Sequence, residues 1–166
     1  MRKKYLITLD GSDHSEYSLL WALENLVDPQ NDILLLLSVG VLPAGTPCEY
    51  SAVTRNILYG SDVAKERQKA EEYAREVVNN GKKLITNFFA TQERGQNEIP
   101  SLNVECFVNS SSDPARYIVD FSKKQKVDVI VMGHRGTSLR NVNKIGMVSQ
   151  HCLHSAGCTV VITKKK

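Results

Sequence analysis

Between Gly133 and Ser149 the chain reads GHRGTSLRNVNKIGMVS, three glycines spaced G-x2-G-x9-G with Arg135, Arg140 and Lys144 among them and no acidic residue. Glycine lets a backbone turn tightly and approach a ligand with no Cβ in the way. Gly146 opens a short apolar stretch read as a helix, and the first N–H groups of a helix have no partner inside it. Such a start accepts anions, phosphate above all. The three cations read either as phosphate contacts, Arg135 first, or as solvated loop charges. His134 likewise reads as a nucleotide contact or a solvated loop residue.

A second stretch of interest is Asp10-Gly11-Ser12, a turn signal after a short apolar run. It puts a carboxylate at the end of a strand. Asp10, Ser12 and His14 are the residue types of a catalytic triad, but they crowd onto one turn, whereas triad members come together from separate elements. Ser12 therefore reads as a helix cap. His151, Cys152, His154 and Cys158 include metal-ligating types. The histidines are i,i+3, Cys158 lies beyond the helix, and no second ligand pair at zinc-finger spacing follows. The two cysteines read instead as small buried hydrophobes.

The elements that must position these residues follow from patterning. Lys4 to Leu9 is β-rich. Asp13-x-x-Glu16 has capping-box form, and Leu19, Leu20, Leu23, Leu26 and Val27 recur at helical spacing up to Asp28-Pro29. Ile33 to Val39 is a continuous apolar run, as expected of a strand buried on both faces. Gly40 to Ser61, with Pro43, Gly45, Pro47 and Gly60, reads as a long surface loop. Asp62 to Ile85 reads as a long helix, with Glu71 and Arg75 in the favourable i,i+4 orientation and Gly81 as a weak point. Thr86 to Ser101 reads as an exposed excursion. Leu102 to Val108 is a third strand, and Asp113-Pro114 opens a helix with Asp at N-cap and Pro at N1. Val127 to Met132 is a fourth strand. The helix from Gly146 runs to about Ala156, with Gly157 as its C′ residue, and Cys158 to Thr163 is a fifth strand. Strands alternating with helices imply a parallel sheet covered on both faces. Ligands then bind at the carboxyl ends of strands where the strand order reverses.

Composition narrows the class. The 166 residues fit one domain, 1–166. At 42% hydrophobic and 23% charged the chain is of ordinary globular type. No apolar run exceeds five residues, as in Ile33–Leu37, against the roughly 20 a membrane helix needs. The basic N-terminus reaches Asp10 too soon for a signal peptide, so a cytoplasmic protein with reduced thiols is expected. The net charge of +3 equals the contribution of Lys164, Lys165 and Lys166. A lysine tail reads as a solvated end, not a nucleic-acid surface.

The glycines form neither of the common nucleotide fingerprints, GxxxxGK[ST] or GxGxxG after the first strand. With LDGSDHS after strand one, Asp113-Pro114 opening the third helix and an apolar last strand, the whole chain resembles the universal stress protein family. The resemblance implies an adenine nucleotide alpha hydrolase-like, Rossmann-like α/β domain. Its single five-stranded, mostly parallel sheet has order 3-2-1-4-5, with helices on both faces. For the family's ATP-binding branch it implies a site of Thr8, Leu9, Asp10, Val39, Met132, Gly133, His134, Arg135, Gly136, Gly146, Met147, Val148 and Ser149. In that branch the three glycines wrap the α- and β-phosphates and the Ser149 hydroxyl reaches the phosphates. Thr8, Leu9 and Asp10 hold adenine and ribose, with Asp10 also near a phosphate-bound Mg²⁺. The backbone of Val39, taken as the end of strand two, meets the adenine edge. One departure stands out. The pattern has Ser or Thr directly after the third glycine, and this chain has Met147, which keeps the N–H and loses a hydroxyl. A neutral hydrogen bond nets about 0.5–1.5 kcal/mol, so the expectation is weaker binding, not its loss.

The resemblance further implies a stress-response regulator that binds ATP, AMP or another adenine nucleotide, and a homodimer joined through Cys158–Thr163, an edge strand too apolar to be left open. No partner in nucleic acid or membrane is expected. A slow ATPase or phosphotransferase on the same site is the enzymatic alternative. It would need a positioned base and fixed Mg²⁺ ligands, for which Asp10 is the evident candidate. An interaction protein that kept the fold and lost the nucleotide is the third reading.

Overall fold

The computed structural model describes residues 2–44, 52–92, 102–136 and 145–165, with the side chains of 52–61 and 92 outside that description. The elements run β1 (Lys4–Leu9), α1 (Asp13–Asn25), β2 (Ile33–Val41), α2 (Ala52–Gln92), β3 (Asn103–Ser111), α3 (Pro114–Gln125), β4 (Val129–Gly133), α4 (Met147–Ser155) and β5 (Thr159–Thr163). The five strands form one sheet of order β3-β2-β1-β4-β5, and every pairing is parallel. The expected fold class and strand order therefore hold. Successive residues of the central strands face opposite layers. Tyr5, Ile7, Leu9, Leu34, Leu36 and Val131 pack under α1 and α2. Leu6, Leu35, Leu37, Ile130 and Met132 pack under α3 and α4. Among the described residues no helix is long and apolar enough to cross a membrane.

Several sequence-based boundaries are corrected. The helix expected over 62–85 spans Ala52 to Gln92, so 52–61 is not loop and 86–92 is not an irregular excursion. One interior glycine costs about 1 kcal/mol, and α2 continues through Gly60 and Gly81 all the same. At Gly81 a Cβ would stand 2.6 Å from Leu9 Cδ1, so glycine here lets α2 settle onto β1. Phe89, placed by sequence in the exposed excursion, is buried with Val78 and Ile85 on the same face. Glu71 turns away from Arg75. It accepts a hydrogen bond from Ser110 Oγ at 2.8 Å and faces Arg67 at 4.0 Å. That tie helps β2 and β3 run on to Val41 and Ser111, past the expected ends at Val39 and Val108. β4 and β5 instead start later, at Val129 and Thr159.

Helix ends follow local chemistry. The N-cap of α1 is Ser12, as expected of it, with Ser12 Oγ accepting the Ser15 N–H at 3.2 Å, so the capping box expected from Asp13 is not what starts the helix. α3 starts as expected: Asp113 accepts the Arg116 N–H at 3.0 Å and Pro114 follows. α4 starts after Gly146 and ends at an extended Ala156. Gly157 is not left-handed, so the expected glycine cap geometry is replaced by a direct exit into β5.

Candidate functional site

β1 and β4 are neighbours, with Leu6 opposite Ile130 and Ile7 opposite Val131. Chain order reverses between them, because β1 leads on to β2 and β4 on to β5. Asp10 after β1 and Gly133 at the end of β4 therefore open onto one crevice at the carboxyl edge of the sheet.

On the β1 side, Asp10 is tied down by its own turn. Its Oδ1 accepts the Ser12 N–H at 3.0 Å and the Ser12 hydroxyl at 2.6 Å, an Asx-type turn. Its N–H donates to Ser15 Oγ at 3.3 Å. Its carbonyl accepts from the Tyr73 hydroxyl of α2 at 3.1 Å. Gly11 follows at φ +79, and a Cβ there would lie 2.6 Å from that same hydroxyl. The positive φ is what calls for glycine. The Ser12 hydroxyl is thus spent on Asp10 as a cap and turn residue. His14 Nδ1 is buried with no hydrogen-bond partner among the described residues.

On the β4 side the three glycines differ in what requires them. At Gly133 a Cβ would come within 2.8 Å of the His14 carbonyl carbon and 2.9 Å of its oxygen, so glycine lets α1 lie against the strand end. At Gly136 a Cβ would collide with Asp10 Oδ2, so the loop passes directly over the carboxylate. At Gly146 a Cβ would meet only Arg135 Cα at 3.6 Å, His134 O at 3.7 Å and Gly136 N at 3.9 Å, which are ordinary contacts. Its backbone, φ −62 and ψ 151, is open to any residue. Neither the described packing nor the backbone demands glycine at 146.

The loop closes through its main chain. His134 donates its N–H to Thr163 O at 2.7 Å and accepts the Gly146 N–H at 2.9 Å. Ser149 is buried, and its hydroxyl donates to Gly133 O at 2.9 Å, bolting the first turn of α4 to the end of β4. Gly146 offers no side-chain cap, so among the described residues no side chain caps the first-turn N–H groups of α4. Met147 is 88% exposed. Burial, then the charges of Arg135, Lys164 and His14, push the His134 imidazole below the ordinary histidine range.

The structure thus brings together Asp10, Gly133, His134, Arg135, Gly136, Gly146, Met147, Val148 and Ser149. Thr8, Leu9 and Met132 are the strand residues beneath them, in β1 and β4. Val39 is not the end of β2 but lies two residues before it, partly buried on the α3–α4 side and opposite Asn109. Arg140 and Lys144 lie outside the described residues. Tyr73 and Thr163 were missed by sequence reasoning, since nothing in local spacing ties either to a turn or loop so distant in the chain. Behind the Asp10–Gly11 turn, between α1 and α2, a shallow depression of about 170 Å³ is lined by Leu9, Gly11, Glu16, Tyr73 and Asn80 among others. It does not include the glycine loop.

The metal-like set on α4 does not converge. Cys152 is fully buried, its thiol 4.0 Å from Ala115 O, and burial pushes that thiol up to about 11. His151 and His154 are exposed on the outer side. Cys152 is thus the small buried hydrophobe expected.

The parallel order and the glycine loop at its reversal define a doubly wound α/β protein with its crevice at the β1/β4 switch point. The chain belongs to the universal stress protein family, whose model matches residues 1–164. It is 27% identical over 164 residues to universal stress protein YxiE of Bacillus subtilis, covering 99% of this chain and 100% of that one. It is also 27% identical over 165 residues to universal stress protein MJ0531 of Methanocaldococcus jannaschii, covering 98% and 82%. Among solved structures, hypothetical protein MJ0577 superposes with a TM-score of 0.65 at 19% identity, covering 99% and 96%. A universal stress protein solved in complex with cAMP superposes at 0.55 and 15%, covering 97% and 96%.

Proposed function

We propose that this chain is a cytoplasmic, adenine-nucleotide-binding regulatory protein of the stress response that works as a homodimer. The observation that carries the reading is Gly146: glycine stands where the packing of the described residues would accept a side chain, in front of a helix start with no side-chain cap from its N-cap residue. An N-cap side chain lies beside the first-turn N–H groups, and its absence leaves them open to phosphate. The N–H groups of Met147, Val148 and Ser149 would hold phosphate oxygens, with Gly136 and Arg135 closing the other side. Asp10 Oδ2, on the crevice, would meet a ribose hydroxyl or a phosphate-bound Mg²⁺. Thr8, Leu9 and Met132 would form the floor, and the β2 backbone at Val39 the adenine edge. The Ser149 hydroxyl, which donates to Gly133 O, would support the loop while its N–H faces the phosphates. That one related protein was solved with cAMP supports an adenine nucleotide as the ligand.

The dimer would form through β5, which lies at the sheet edge with Val160, Val161 and Ile162 only partly covered. A second reading, an interaction protein without nucleotide, is favoured by the exposed apolar group Ile145, Met147 and Val148 beside the crevice. Isothermal titration of the purified chain with ATP, ADP, AMP and cAMP separates the two. Saturable binding that Gly136→Val abolishes in a folded protein supports the nucleotide reading. Absence of binding at millimolar concentration supports the interaction reading.

A further inference from the structure

We propose that Lys164 and Lys165 form a cationic arm of the phosphate cradle, giving the site a preference for nucleotides with two or three phosphates over monophosphates. The proposal rests on the nucleotide reading and names the ligand class within it.

β5 runs parallel to β4 with Thr163 opposite Gly133, so the chain leaves β5 at the same edge of the sheet as the glycine loop. The His134 N–H, bound to Thr163 O at 2.7 Å, fixes the backbone just before Lys164 against that loop. Lys164 is near enough for its charge to act on the His134 imidazole, and among the described residues it pairs with no carboxylate. The next residue reaches the other wall of the crevice: Lys165 Nζ lies 3.3 Å from Asp13 Oδ2, in the first turn of α1. The tail therefore runs from the loop towards the Asp10 turn, past the point where Gly133 meets His14.

The Lys165–Asp13 pair is open to water, with side chains 49% and 82% exposed. Pairs of that kind contribute little to stability, so an incoming phosphate can take the place of the carboxylate. Backbone N–H groups at the start of α4 suit the phosphate held innermost. Outer phosphates add charge that cations beyond Arg135 would meet. The Lys165 ammonium, beside the first turn of α1, and that of Lys164, next after the loop-bound Thr163, would supply it as mobile point charges suited to groups of variable position. The same two lysines account for most of the chain's net charge of +3.

The test compares ATP and AMP by isothermal titration of the full chain, at low and high salt, in wild type and in the double variant Lys164→Gln, Lys165→Gln. Both glutamines keep the backbone bond at Thr163, and a thermal melt checks the fold. Wild type should bind ATP more tightly than AMP. The double variant should lose about five- to tenfold in ATP affinity, about the effect of two exposed charge contacts, and less than about twofold for AMP. Its ATP affinity should also depend less on salt. Asp13→Asn, which frees Lys165, should leave ATP binding as tight or tighter. An unchanged ATP-to-AMP ratio and salt dependence in the double variant would overturn the arm and leave the nucleotide reading standing. Failure of wild type to bind either nucleotide would overturn both.

Discussion

Replacing Gly146 with alanine should separate what the fold needs from what a ligand needs. The backbone at φ −62, ψ 151 suits alanine, and the added methyl would find its nearest neighbour 3.6 Å away. Two small terms then oppose each other. Removing a glycine from the unfolded chain stabilises by about 0.4–1 kcal/mol, and alanine is the poorer N-cap by roughly 0.5–1 kcal/mol. They nearly cancel, so the melting temperature should move by less than about 3 °C. Binding should respond very differently, because the methyl stands beside the first-turn N–H groups. A hydrogen bond to a charged partner contributes about 1.5–3 kcal/mol, so losing one weakens nucleotide binding roughly ten- to a hundredfold. Gly133→Ala is the contrast. Its methyl would meet His14 backbone at 2.8 and 2.9 Å, where neither side can easily yield. Overpacking of that kind costs about 1–3 kcal/mol, so this variant should melt several degrees lower. Thermal melts paired with titration calorimetry read both effects. A folded Gly146→Ala protein with wild-type nucleotide affinity would refute the reasoning, because the glycine would then be idle.

Further consequences can be measured on the same protein. Tyr73→Phe removes the hydroxyl that holds the Asp10 carbonyl; stability should fall by about 0.5–1.5 kcal/mol, and nucleotide affinity should drop with it as the turn loosens. The pH dependence of binding follows from His134. Its free-state pKa is lowered by burial and by Arg135, Lys164 and His14, and a bound phosphate would raise it. Binding should therefore take up a proton and tighten as pH falls through the histidine range, visible as a buffer-dependent enthalpy; affinity that weakens on acidification would contradict this. The β5 edge predicts a particle of twice the chain mass by light scattering at micromolar concentration, and a monomer there would remove the dimer from the account.

How far the sequence carried these conclusions depended on the range of the interactions. β2 was legible because a strand buried on both faces shows as a plain apolar run, and α3 because Asp113-Pro114 is a local start signal. The ends of α2 were hidden by Gly60 and by the polar residues that follow Phe88, Phe89 and Ala90. The extra residues of β2 and β3 are held by long-range partners, Gly40 opposite Ser110 and Val41 opposite Ser111, which no local pattern announces. The strand order came from the family resemblance, since alternation alone leaves several parallel orders open. Within the site, the three glycines and Asp10 were visible as types and spacings. Their separate reasons were not: only the fold shows that Gly133 answers to His14, Gly136 to Asp10, and Gly146 to nothing in the protein's described packing.

The central claim is that an adenine nucleotide sits at the β1/β4 crevice with its phosphates at the start of α4. The most direct measurement is an amide NMR titration of the chain labelled with nitrogen-15, with ATP as ligand. The account predicts saturable shifts at Asp10, Gly11, Gly133 to Gly136 and Gly146 to Ser149. Resonances of α3 and of the far end of α2 should stay in place. Shifts clustered elsewhere, or none at millimolar ATP, would contradict it.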